Sequence, residues 1–106
     1  MIVGSGSGAT ASLLAIAKNA KDLGAKILLF TIDSKSPIGQ IADCIVEIPA
    51  TSPKVQGPLP KGQSIQPMGS LFEQCLFVIF DALVLLLMQE YGVNSAKMYS
   101  RHANLE

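Results

Sequence analysis

Apolar residues fall into separate blocks along the chain, and each block has its own period. Ile2 and Val3 form a short apolar start that runs into Gly4-Ser5-Gly6-Ser7-Gly8. Leu13, Ile16, Ala17, Ala20 and Leu23 then recur at helical spacing, with Lys18, Asn19, Lys21 and Asp22 opposite them. Gly24 supplies the left-handed stop expected just past a helix. Ile27 to Ile32 is a continuous apolar run ending at Asp33, the pattern of a strand covered on both faces of a parallel sheet. Residues 34–42 carry turn residues and one helical turn starting near Pro37. Cys44 to Ile48 reads as another strand, closed by Pro49. Strand, helix and strand in succession predict an α/β domain with a parallel sheet of about three strands.

Two stretches depart from that plan. A glycine-rich loop of this kind should follow a strand, and buried strands usually need about five or six residues. Only Met1, Ile2 and Val3 precede it, so the strand is expected to be a stub or the chain a piece of a longer parent. Residues 50–69 hold Pro53, Pro58, Pro60 and Pro67 and show no period. Such a length without regular structure predicts a lid over a functional site. A long helix follows from Ser70 to about Tyr91, opened by Ser70-Leu71-Phe72-Glu73, which fits a capping box. From Cys75 to Met88 it is apolar nearly all round except for Asp81. A membrane span needs about 20 predominantly apolar residues. Glu73 and Asp81 cut the run short of that, so the expectation is a helix buried on several sides, not a membrane partner. Much of its surface should face something the chain does not contain. Gly92 ends it, and residues 93–106 read as a short polar tail.

Composition narrows the classes. A chain of 106 residues allows one small domain or part of a larger one. Lys plus Arg and Asp plus Glu both number 8, so the formal net charge is 0, and nucleic acid is not expected as a partner because phosphate backbones demand a basic excess. Apolar residues make up 49% and charged residues 15%, the reverse of a disordered chain. Cys44 and Cys75 sit in apolar runs without metal-type spacing, and no basic-plus-apolar leader precedes them. The expected setting is the reducing cytoplasm, with no metal on the cysteines.

The glycine loop is the first candidate for chemistry. Ser5 and Ser7 offer hydroxyls, Gly6 and Gly8 let the backbone curl closely, and the following helix presents free amides, with Thr10 on its first turn. Together they make a seat for a phosphate monoester; equally, they fit a tight strand-to-helix turn. Ala9 stands where a dinucleotide fingerprint needs its third glycine, and no Lys follows as in a Walker loop. Glu73, at a helix start beside the lid, is a general-base candidate, although a capping box also explains it. Asp81 more simply satisfies a buried polar neighbour, and Asp33, at the carboxyl end of a strand, is either a ligand contact in an α/β crevice or an ordinary turn residue. His102, the single histidine, lies in the polar tail.

The loop Ile2-Val3-Gly4-Ser5-Gly6-Ser7-Gly8-Ala9-Thr10 resembles the phosphate loop of the sugar isomerase (SIS) domain. Gln66-Pro67-Met68-Gly69-Ser70-Leu71-Phe72-Glu73-Gln74 and the ending Met98-Tyr99-Ser100-Arg101-His102-Ala103-Asn104-Leu105-Glu106 are more specific, and resemble the 6-phospho-3-hexuloisomerase family. The similarity covers essentially the whole chain but only the C-terminal part of those enzymes. It implies a partial SIS-type three-layer α/β/α sandwich, with residues 1–106 the C-terminal portion of one domain. It also implies conversion of 3-hexulose 6-phosphate into fructose 6-phosphate, a step of the ribulose monophosphate pathway, through a cis-enediol, with no metal and no organic cofactor. On that resemblance Glu73 moves the proton and His102 assists ring opening, while Ser5, Gly6, Ser7, Gly8 and Thr10 hold the phosphate. The tail would reach a neighbouring subunit of a homotetramer.

Two departures bear on these implications. Ala9 replaces the usual Glu of the loop, and the family's N-terminal half, with a second glycine loop, has no counterpart here. Without that half, the polypeptide alone is expected to be aggregation-prone, oligomeric or partly folded, and a poor catalyst. The rival expectations are a non-catalytic SIS module that senses sugar phosphates, and a truncated reading frame with no activity of its own.

Overall fold

The structure, a computed structural model, describes residues 1–55 and 64–100. They form β1 (Ile2–Gly4), α1 (Ala11–Asp22), β2 (Leu28–Thr31), a 3-10 turn (Gly39–Ile41), β3 (Cys44–Glu47), α2 (Ser70–Glu90) and α3 (Ser95–Tyr99). The chain divides into two compact units, Met1–Leu76 and Phe77–Glu106. The lid expected at 50–69 falls partly on residues 56–63, which lie outside the described residues, as does the end of the tail.

In the first unit the strands lie in the order β1-β2-β3, all parallel, with Val3 opposite Leu29 and Gly4 opposite Phe30. Alternate residues of a strand project to opposite faces. Val3, Ile27 and Leu29 therefore go one way, into a cluster with Ala17 of α1 and Ile38. On the other face a Cβ at Gly4 would meet the side chain of Leu76, so the opening turns of α2 cover that side. The unit is a three-layer α/β/α arrangement around a three-stranded parallel sheet.

Position within the sheet separates the strands. β2 is central, and Leu29, Phe30 and Thr31 are buried; β3 is an edge, and three of its four residues are exposed. Coverage of both faces holds for β2 and fails for β3, which has one strand neighbour among the described residues.

The apolar stripe of α1 is also displaced from its expected line. Leu13 and Leu14 pack beside fully buried Ala17, whereas Ile16 is 53% and Leu23 89% exposed. At 3.6 residues per turn, positions 13, 14 and 17 share a side that excludes 16. Gly24 has φ 82°, where a side chain would strain the backbone. Its amide donates to the Lys21 carbonyl and the Ala25 amide to the Ala20 carbonyl, the paired bonds that close a helix end. Below this end, Asp43 accepts from Lys21 Nζ at 2.7 Å, from the Ile27 amide at 2.8 Å and from Lys26 Nζ at 3.3 Å. The Lys21 ammonium, helped by the Ile27 amide and then Lys26, holds the Asp43 carboxyl well below the usual carboxylate range.

The second unit is built differently. Phe77, Val78, Val84, Leu85, Leu86 and Leu87 of α2 are all exposed, and Phe72 is the one buried residue of the helix. By length and composition α2 is long and apolar enough to cross a membrane: its most apolar window has mean hydropathy 2.2, and 6% of that window is buried. This exposure agrees with the expectation that much of the helix surface faces something the chain does not contain. An all-round apolar helix needs cover on more than one side, and a single neighbouring layer supplies only one. The polar tail opens with α3, whose Asn94 cap accepts from the Lys97 amide at 2.9 Å.

Candidate active site

The bend that follows β1 is fixed by its carbonyls. Gly6 O accepts from the Ile32 amide at 3.0 Å and from Thr31 Oγ1 at 3.1 Å; Gly8 O accepts from the Ile38 amide at 3.0 Å; Ser5 O accepts from the Gly8 amide at 3.1 Å. Ser5 itself is anchored by its amide to Phe30 O at 2.9 Å. With the carbonyls engaged, the amides of Gly6, Ser7 and Thr10 have no partner among the described residues. Ala9's amide reaches only Ser7 Oγ, at 3.4 Å. Thr10 occupies the N-cap position of α1, yet its side chain makes no capping bond. Free amides beside a helix N-terminus form a ready seat for an anion. Gly8 makes the bend possible: its φ is 57°, and a Cβ there would run into Ser36.

Two other glycines dock the base of α2. A Cβ on Gly6 would lie 3.3 Å from Phe72, and one on Gly4 would press on Leu76. Residues two apart in extended chain span about 6.5 Å, close to the roughly 6 Å rise between residues four apart in a helix. Gly4 and Gly6 thus match Leu76 and Phe72, and the helix start settles directly on the bend. Its entry is a turn in which the Ser70 amide donates to Pro67 O at 3.1 Å, with Met68 at φ 57°. A non-glycine residue in that region carries about 1–3 kcal/mol of strain.

This turn overturns the expected capping box. The Glu73 amide donates to Gly69 O at 3.1 Å, and Ser70 Oγ is buried with no partner. The helix begins one residue early, because the turn has already claimed the Ser70 amide. No hydrogen bond or ion pair holds the Glu73 carboxylate among the described residues, and its residue is exposed. The side chain is free to act on something other than its own helix.

A cavity of 470 Å³ lies between the bend and the helix start. It brings together Ser5, Gly6, Ser7, Thr10 and Glu73. Gly8 does not line it and shapes the bend from behind. His102 lies outside the described residues. Asp33 is a turn residue, accepting from the Lys35 amide at 2.9 Å, and Asp81 is exposed in the second unit. The sequence argument missed the apolar wall of Ile32, Phe72 and Leu76, and it missed Lys54, which lines the cavity from the 50–55 segment. Among the described lining residues Lys54 is the one cation and Glu73 the one anion. No group of three His, Cys, Asp or Glu side chains suited to a metal occurs among the described residues.

Sheet, bend and cavity define a parallel α/β domain with a serine–glycine loop after its first strand. The family model of the SIS domain matches residues 1–81, and the chain belongs to that family. It is 47% identical, over its whole length and 56% of the relative, to a 3-hexulose-6-phosphate isomerase of Bacillus subtilis. A protein of the same description from Mycobacterium gastri is 41% identical over the whole chain and 52% of its own length. Among solved structures, a hypothetical protein from Methanococcus jannaschii, for which the function of 3-hexulose-6-phosphate isomerase was inferred, superposes with a TM-score of 0.74 at 27% identity, over 99% of this chain and 53% of that one. The chain spans about half the length of these relatives.

Proposed function

We propose that the protein acts on a sugar phosphate as a ketose–ketose isomerase, interconverting 3-hexulose 6-phosphate and fructose 6-phosphate. One observation carries this reading: the loop donors and the unengaged Glu73 carboxylate face the same cavity. The names of the similar proteins from Bacillus subtilis and Mycobacterium gastri support the choice of substrate.

In this mechanism Ser5, Ser7 and Thr10 hydroxyls and the free amides of Gly6 and Ser7 hold the phosphate, while Gly8 keeps the bend in shape. Glu73 removes the proton from C2, leaving a 2,3-enediolate. It returns the proton to C3 as the hydroxyl proton shifts from O2 to O3, so the carbonyl moves from C3 to C2. A single base serves both carbons, and the proton balance closes within the substrate and Glu73. A positioned base of this kind contributes about 10²–10⁴-fold. His102 would assist ring opening, at the site of a neighbouring subunit in a cytoplasmic homotetramer.

The Glu73→Gln variant tests the assignment. Isomerase turnover should fall at least about a hundredfold with sugar-phosphate binding retained. Normal turnover in that variant would remove Glu73 from the chemistry and the proposal with it.

A further inference from the structure

The cavity has an electrostatic difficulty that its loop does not resolve. A phosphate monoester carries about −1.5 to −2 charges near neutral pH, and it would enter beside the Glu73 carboxylate. Backbone amides and hydroxyls supply dipoles but no net positive charge, and like charges sharing a site repel. Among the described residues, the one cation lining the cavity is Lys54.

Its backbone is held in place. Ser52 O accepts from the Val55 amide at 3.1 Å, and Ser52 Oγ accepts from the Lys54 amide at 3.3 Å. Pro53 occupies the second position of this turn, where its fixed φ is favourable. The lysine therefore stands at the third position of a hydrogen-bonded turn, and its ammonium has no partner among the described residues. In the same structure Lys21 and Lys26 are both committed to Asp43. Lys54 is a cavity cation with a fixed base and an unassigned head.

We propose that Lys54 is the substrate-charge sensor of the cavity: it neutralises the ligand's phosphate, so that a dianionic sugar phosphate can bind alongside the ionised Glu73. The inference rests on the isomerase reading for the identity of the sugar, but not for the binding of phosphate. Lys54 acts on binding, equally in the ground and transition states, and takes no part in the proton transfer.

Two measurements separate these levels. Titration of the protein with inorganic phosphate, followed through the amide resonances of Gly6 and Ser7, reads the loop alone. Phosphate affinity should drop about tenfold or more in Lys54→Gln, recover in Lys54→Arg, and stay unchanged in Lys18→Gln on the exposed side of α1. The salt dependence of binding should be shallower in Lys54→Gln. Steady-state isomerase kinetics should show KM raised by a similar factor with kcat held. Equal phosphate affinity in wild type and Lys54→Gln would overturn the role of Lys54, as would a fall in kcat at unchanged KM. Loop amides that ignore phosphate even in the wild type would instead sink the phosphate seat on which the proposed function stands.

Discussion

The first unit, Met1–Leu76, and the second, from Phe77 onward, contain similar kinds of apolar residue and treat them in opposite ways. Val3, Ile27, Leu29 and Ile38 are almost wholly hidden, whereas Phe77, Val78, Leu85 and Leu86 are each more than 60% exposed. Hydrophobicity alone does not make a core. The first unit succeeds because its central strand has cover on both faces, and α1 turns Leu13, Leu14 and Ala17 toward it. The helix of the second unit is apolar on every side, and no single layer can satisfy it.

Paired truncations put the contrast at risk. Leu29→Ala, at a site with no exposure, should destabilise the first unit by about 2–5 kcal/mol, while Leu85→Ala, 61% exposed, should stay within about 0.5 kcal/mol in chemical denaturation of the monomer. Comparable losses at the two sites would mean that the second unit is covered in solution. Gly8→Ala probes the bend of the first unit. The left-handed backbone alone should cost about 1–2 kcal/mol, and the collision with Ser36 adds to it. A variant as stable as wild type would mean that the bend relaxes without harm.

The smallest effect belongs to Asp43. Its carboxyl is held below the ordinary value of 3.8, so its contribution to folding is present above that pH and fades as the pH falls beneath it. The stability difference between wild type and Asp43→Asn should therefore hold level above about pH 5 and narrow as the pH falls through 3.8 toward about pH 2 in denaturant titrations, and narrow further with added salt. A difference that grew on acidification would contradict the Lys21–Asp43–Lys26 arrangement.

Most of the first unit was legible in the chain. Ile27 to Ile32 announced the central strand, Gly24 the end of α1, and Gly4 to Gly8 the bend, because each rests on local chemistry that neighbours do not alter. What escaped depends on partners distant in sequence. Ile16 and Leu23 fit a helical period but miss the sheet, since the phase of α1 is set by where Val3 and Leu29 lie. Ser70 and Glu73 spell a capping box, yet the preceding turn took the Ser70 amide first. Lys54 sits in a proline-rich stretch without a period. The turn at Ser52-Pro53-Lys54 was passed over inside the proline-rich stretch, and its place beside the bend follows only from the folded chain.

The spacing match between Gly4 and Gly6 and the helical pair Leu76 and Phe72 has a historical consequence. These two glycines are required by close contact with a helix, whether or not any ligand ever enters. A descendant in which Glu73 had been replaced would still be bound to keep them. In such a lineage the Gly-x-Gly pair would persist as a relic of architecture, and its survival would say nothing about what the cavity still does.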